Sequence, residues 1–194
     1  MQRGSSTRKA AHPIHPLFID RWSPRSMSGE PLTEAELMVL FEAARWAPSS
    51  SNFQPWRMLY VRRGTPLWST YVGLLFEGNR VWAQHAGAIV LFLSKTVMDD
   101  GRPCTTHSYD TGAAWQNFAL QAYLQGYALH GIGGFDAARA RTELKIPPEY
   151  AVEAMAVIGK LGNKADLPDH LQAREQPNGR RPLSETVAEG LFSF

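Results

Sequence analysis

Residues 45–56 read Arg-Trp-Ala-Pro-Ser-Ser-Ser-Asn-Phe-Gln-Pro-Trp. Upstream, Thr33-Glu34-Ala35-Glu36 forms a capping box, and Leu37, Leu40, Phe41 and Ala44 recur at helical spacing. A helix is therefore predicted over 33–46, stopped by Pro48. Downstream, Met58 to Val61 reads as a strand. The tract between them connects a helix to a strand and is dense in hydroxyls, amides and backbone donors. Two readings stay open at this point. Ser and Asn are ordinary loop residues, so the tract can be a plain turn. It can equally clamp a polar, planar ligand.

Working outward, Pro66 to Glu77 places Leu67, Tyr71, Leu74 and Leu75 on one face and reads as a second helix with Pro at its start. Gly87 to Leu93 is a continuous apolar run, the pattern of a strand buried on both faces. Residues 94–109 are polar and read as a loop or partial lid. Gly112 to Leu129 is the longest helical stretch, and its apolar side chains wrap almost around the axis. Such a helix must be buried, and a second subunit is expected to supply part of that burial. Gly131-Ile132-Gly133-Gly134 then reads as following this helix. It lacks the Gly-x-Gly-x-x-Gly spacing of a dinucleotide loop. Asp136 caps a short helix to Leu144, and Val152 to Ile158 reads as a third strand. Asp110 and Asp136 are both expected to serve as helix caps. Residues 163–179 are polar and aperiodic, a pattern typical of functional, disordered or wrapping segments.

Composition narrows the function classes. A chain of 194 residues with 44% hydrophobic and 20% charged residues suits one globular domain. The expected boundaries are a flexible N-terminal tail over 1–15 and a single domain over 16–194. A net charge of +2 with scattered basic residues argues against nucleic acid as a partner. The longest apolar run is too short to span a bilayer, and Met1 to Ala11 lacks a secretory pattern. A cytoplasmic protein without membrane partners is expected. The single cysteine, Cys104, excludes an internal disulfide and reads as a passive thiol. The six histidines show no paired ligand spacing, so no metal is expected. There is also no Gly-x-Ser-x-Gly elbow for nucleophilic catalysis.

Four further pieces fall in order around the opening stretch. They are Arg21-Trp22-Ser23-Pro24-Arg25, Asp110-Thr111-Gly112-Ala113-Ala114-Trp115-Gln116-Asn117, Gly131-Ile132-Gly133-Gly134-Phe135-Asp136 and Arg180-Arg181-Pro182-Leu183. With Ala47-Pro48-Ser49-Ser50-Ser51-Asn52-Phe53-Gln54-Pro55-Trp56, this order resembles the FMN-dependent nitroreductase superfamily. It covers about residues 17–190. The short gap at 94–109 matches the compact members.

The resemblance implies an α+β fold, a nitroreductase-like sandwich with a mixed, mainly antiparallel sheet flanked by helices, in an intertwined homodimer. It implies FMN at the subunit interface. A flavin phosphate suits arginine, whose planar fork bonds two oxygens at once. By resemblance, Arg21, Trp22 and Ser23 meet the phosphate and ribityl chain, with Arg180 or Arg181 as a late phosphate-binding base. Arg25 sits at the flavin N1 and O2 edge and stabilises the reduced form. Pro48, Ser49, Ser50, Ser51, Asn52 and Gln54 contact the ring edge and ribityl chain, from the other subunit. Asn79 faces the pyrimidine edge. Ile132, Gly133 and Gly134 lie near N5, with a backbone N–H from a glycine. No protein side chain is expected to be catalytic in hydride transfer itself.

The activity implied is hydride passage from NADH or NADPH to a small organic acceptor (a nitroaromatic, quinone or enone) by a ping-pong cycle. Alternatives are a flavin-binding or storage protein, and same-fold enzymes performing reductive dehalogenation or flavin breakdown.

Overall fold

The computed structural model describes residues 2–194. Along the chain run α1 (Pro16–Asp20), α2 (Glu34–Arg45), β1 (Trp56–Arg62), α3 (Trp68–Leu74), α4 (Glu77–Ala83), β2 (Ala88–Lys95), α5 (His107–Leu124), β3 (Ala128–Ile132), α6 (Ala137–Glu143), β4 (Tyr150–Gly159) and α7 (Asp169–Gln172). Two compact units divide them: residues 23–175, and residues 2–22 with 176–194.

The larger unit is built on a four-stranded sheet in the order β1-β2-β4-β3, and every ladder is antiparallel. β2 is central and buried along nearly its whole length, which explains its uninterrupted apolar sequence. Its residues alternate between two cores. Ile89, Leu91 and Leu93 pack with Tyr71, Leu74, Trp82, Ala140 and Leu171 from α3, α4, α6 and α7. Ala88, Val90 and Phe92 pack with Leu37, Leu40, Ala114, Phe118 and Ala122 from α2 and α5. Helices thus cover both faces of the sheet, the α+β sandwich expected. Burying each large aliphatic or aromatic side chain contributes about 2 kcal/mol.

The capping box of α2 forms in full. The Thr33 hydroxyl accepts from the Glu36 amide at 3.2 Å, and the Glu36 carboxylate accepts from the Thr33 amide at 2.7 Å. Three expectations need correction. The long helix starts at His107 and ends at Leu124, rather than spanning 112–129. Gly126, at φ 79°, closes it: its amide donates to Tyr123 and the Tyr127 amide to Ala122, both at 2.9 Å. That is a Schellman stop, and it frees Ala128–Ile132 to pair with β4. The glycine-rich segment therefore follows a strand, not a helix. The helix expected over 66–77 stops at Leu74, because Leu75 and Phe76 turn extended, and a separate helix, α4, starts at Glu77. Leu75 bridges to Phe135, and the Phe76 amide donates to Gly134.

In the smaller unit, the Ser5 amide donates to the Asp20 carboxylate at 3.0 Å, and the Trp22 indole N–H to the Gln2 carbonyl at 2.8 Å. No helix among the described residues is long and apolar enough to cross a membrane.

Candidate functional site

Arg25 is held by its backbone. Its amide donates to both oxygens of the buried Glu175 carboxylate, at 2.8 and 3.0 Å. The Ser26 amide and hydroxyl donate to Glu175 Oε1 at 2.9 and 3.0 Å. With those bonds Glu175 clamps the segment instead of neutralising the guanidinium. The guanidinium lies over Trp82, 5.8 Å from its ring centroid. Trp82 in turn packs on the His130 imidazole at 4.8 Å, and His130 Nδ1 lies 3.2 Å from the Pro24 carbonyl. Burial, and then repulsion from Arg174, press the Arg25 pKa below its ordinary value, while Glu175 opposes them. Among the described residues, no carboxylate forms an ion pair with Arg25. A stacked, partly desolvated cation of this kind suits an anionic ligand edge.

The break between α3 and α4 brings a second pair together. Asn79, in the first turn of α4, donates through Nδ2 to the Gly134 carbonyl at 3.0 Å. A Cβ on Gly134 would lie 2.6 Å from that Nδ2, so any larger residue there would displace the Asn79 amide. Gly133 has nothing within 4 Å of where a Cβ would lie. A flat ring can therefore approach the backbone there.

Ser50–Asn52 form a short 3-10 turn, and Ser51, Asn52 and the nearby Gln54 take φ of 51°, 55° and 54°. Three non-glycine residues in the left-handed region within four positions is unusual, and each costs about 1–2 kcal/mol. The strain is held by hydrogen bonds. Ser49 Oγ accepts from the Gln54 amide at 3.0 Å, and Gln54 Nε2 donates to the Asn52 carbonyl at 2.9 Å. The Ser50 amide donates to Asp110 Oδ2 at 3.2 Å. Asp110 lies inside the first turn of α5 and anchors this tract, rather than capping its own helix. Pro48, Ser50, Ser51 and Asn52 are exposed. No described hydrogen bond joins the tract to Arg25, Asn79 or Gly133.

In the smaller unit three arginines gather. Arg8 donates to the carbonyls of Ile19, Arg21 and Asn178 at 2.9, 2.8 and 2.6 Å. Arg8 and Arg180 both reach Asn178 Oδ1, at 3.2 and 3.3 Å. Burial, then Arg180 and Arg8, press the Arg21 pKa down. Arg8, Arg180 and Arg181 line a cavity of about 520 Å³ with Lys9, Ile14 and Phe18. Clustered guanidinia that repel one another suit a phosphate.

Sequence reasoning missed Arg8, Glu175 and a polar cluster on the other face of the sheet. Opposite β2, Phe92 pairs with Ala154 but Leu93 with Val152, leaving Glu153 as the extra residue of a bulge. The bulge re-aims Glu153. Its Oε1 accepts from the buried Ser94 hydroxyl and, at 2.6 Å, from the Ser108 hydroxyl. His107 Nδ1 lies 2.7 Å from Ser94 Oγ and 3.4 Å from Glu153 Oε1. Hydroxyl and carboxylate meet the same ring nitrogen, so this is not the relay of a hydrolytic triad. The signal available beforehand was a lone Glu in an apolar strand.

The family model described as nitroreductase family matches residues 19–67. A solved structure described as an oxidoreductase containing FMN is 43% identical, covers 96% of each chain and superposes with a TM-score of 0.92. The chain belongs to the nitroreductase family. Protein DrgA of Synechocystis is 28% identical over 183 residues, 80% of this chain and 85% of that protein. A Streptomyces coelicolor protein provisionally named NADH dehydrogenase/NAD(P)H nitroreductase is 46% identical over 64 residues, 33% of this chain and 31% of its own.

Proposed function

We propose that this nitroreductase-family chain is an FMN-dependent oxidoreductase, reduced by NADH or NADPH, that passes hydride to a small organic acceptor in a ping-pong cycle. The observation that carries the reading is Arg25. It is stacked on Trp82, clamped by its backbone to Glu175 and, among the described residues, outside any ion pair. The donor set fits the flavin. Arg25 puts positive charge where the reduced ring becomes anionic. Asn79 offers an amide and Gly133 an open stretch of backbone to the ring edge. Arg21 and Arg180 suit the phosphate, with Trp22, Ser23 and Ile132 adjoining these groups in sequence. Bound FMN would supply two-electron redox chemistry at N5; the protein's part is orientation, electrostatics and exclusion of water. Support for the cofactor and donor comes from the FMN named for one relative and the NAD(P)H named for another.

We also propose a cytoplasmic homodimer that builds its flavin sites from both copies. Trp46, Tyr109 and Leu124 are exposed on or beside α2 and α5, and Leu183, Val187, Leu191, Phe192 and Phe194 are exposed near the C-terminus. Exposed apolar groups in such number favour association. Pro48 to Asn52, exposed and strained, would then serve the partner's ring.

The test is an FMN titration of flavin-stripped protein, followed by quenching of flavin fluorescence. Tight uptake at one FMN per chain is expected. Arg21→Ala and Arg180→Ala should each weaken it about tenfold, the loss of one charge-assisted contact. Absence of FMN uptake by the unmodified protein would overturn the reading.

A further inference from the structure

Ser94 on β2, Glu153 on β4, and His107 and Ser108 at the start of α5 meet beside a cavity of about 270 Å³. Ser108, Trp115, Gly133 and Glu153 are among the residues that line it. Gly133 also belongs to the proposed flavin edge, so the cluster and that edge share one space. The side chains of His107 and Glu153 are 24% and 25% exposed, and Ser94 between them is fully buried. A carboxylate so covered, in a strand that continues as Ala154 and Met155, is costly to keep without a use.

The hydrogens of the cluster can be counted. A serine hydroxyl has one hydrogen to give. Ser94 gives its hydrogen to Glu153 Oε1, and Ser108 does the same at 2.6 Å. His107 Nδ1 lies 2.7 Å from Ser94 Oγ and 3.1 Å from Ser108 Oγ. With both hydroxyl hydrogens committed, the ring nitrogen must be the donor, so His107 carries a hydrogen on Nδ1. The outcome is a directed chain, from Nδ1–H through the Ser94 hydroxyl to the carboxylate. It runs from a partly exposed ring to a group on the cavity wall.

We propose that this chain is a proton relay and that Glu153 is the proton donor to the acceptor, a proposal that rests on the flavin-dependent reading above. Loading begins when His107 Nε2 takes a proton from water, an exchange suited to imidazole. The Nδ1 hydrogen passes to Ser94 Oγ as the Ser94 hydrogen passes to Glu153 Oε1. A neutral ring protonated on Nε2 and a carboxylic acid remain. The last torsion of a glutamate is soft, which lets the acid turn its O–H toward the cavity. The acceptor class served is an α,β-unsaturated ketone. Its β-carbon takes the hydride that bound FMN would supply, its C=C pair moves to the α-carbon, and that carbon takes the proton from Glu153. One hydride and one proton saturate the double bond, and the carboxylate is ready for reloading. A positioned acid contributes about 10²–10⁴-fold to such a step.

A kinetic and a spectroscopic measurement test this. In the first, the FMN-loaded full-length protein is reduced with one equivalent of dithionite without oxygen. It is then mixed with cyclohexenone, or with ferricyanide, which takes electrons and no proton. Glu153→Gln keeps an oxygen for the serines but has no acid proton to give, so the ratio of the enone rate to the ferricyanide rate should fall about a hundredfold. A loss of packing or of flavin would move both rates together. In the second, a two-bond proton–nitrogen NMR correlation on the flavin-free protein reads the neutral His107 ring. It should show the hydrogen on Nδ1. Glu153→Ala, which frees the serine hydrogens to face the ring, should move it to Nε2. A ratio unchanged in Glu153→Gln, an enone that fails to oxidise the reduced protein, or a neutral ring protonated on Nε2 in the unmodified protein would overturn the relay. Failure to take up FMN, read from the visible spectrum, counts against the flavin reading, and the ring measurement then decides the relay alone.

Discussion

At the scale of single residues, Arg25 shows how charge is kept available. An arginine beside a buried glutamate would ordinarily pair with it, but Glu175 spends its oxygens on the amides of Arg25 and Ser26. The guanidinium keeps a positive field for a ligand. Arg25→Ala should therefore slow reduction of bound flavin about tenfold and lower its midpoint potential by about 30 mV, the equivalent of a tenfold change for a two-electron couple. Stopped-flow reduction and spectroelectrochemistry measure the two quantities; an unchanged potential would remove Arg25 from its assigned role. Glu175→Ala orphans three donors near the core and should cost about 1–3 kcal/mol in a urea melt. Ser51 offers the opposite case. It is exposed at φ 51°, so Ser51→Gly should stabilise the protein by up to about 1 kcal/mol. FMN affinity should fall in the same variant if the strained turn is pre-set for the ligand.

At the scale of elements, what the sequence made legible was whatever local chemistry decides alone. The capping box at Thr33, the apolar run of β2 and the Asp136 cap of α6 all read directly. The misreadings lie where a distant partner decides. Leu75 and Phe76 have helical neighbours on both sides, yet they turn extended to meet Phe135 and Gly134. Residues 128 and 129 continue an apolar helical pattern, and only the positive φ of Gly126 ends it. The same separation holds in the site. Ser23, Arg25, Asn79 and the glycines form a recognisable order, whereas Glu175 and Glu153 act through a 150-residue contact and a bulge. Gly126→Ala should cost about 1 kcal/mol by forcing a Cβ into the left-handed region. The α2 cap also predicts a pH response. Glu36 sits below its ordinary pKa of 4.5, held first by the Thr33 amide, then by the Thr33 and Tyr127 hydroxyls. The folded state takes up that proton less readily than the unfolded chain. The stability Glu36 adds is therefore fully present above about pH 4.5 and is lost as pH falls through the lower folded value. Urea midpoints of the wild type and Glu36→Gln should differ at neutral pH and converge as the pH falls below the lowered folded value.

At the scale of the whole molecule, the family assignment and the sandwich fold leave the choice of substrate open. The exposed apolar residues near the C-terminus predict self-association. Light scattering should give twice the 21.6 kDa chain mass, and truncation after Pro182 should lower that mass or weaken FMN binding. The central claim is that the chain is a flavin-dependent, nicotinamide-reduced enzyme. The most direct measurement is the visible spectrum of the FMN-loaded protein during anaerobic addition of NADH or NADPH. The account predicts that the flavin band bleaches at one donor per FMN and returns when an acceptor such as a quinone is added. A bound flavin that keeps its colour with both donors would contradict it.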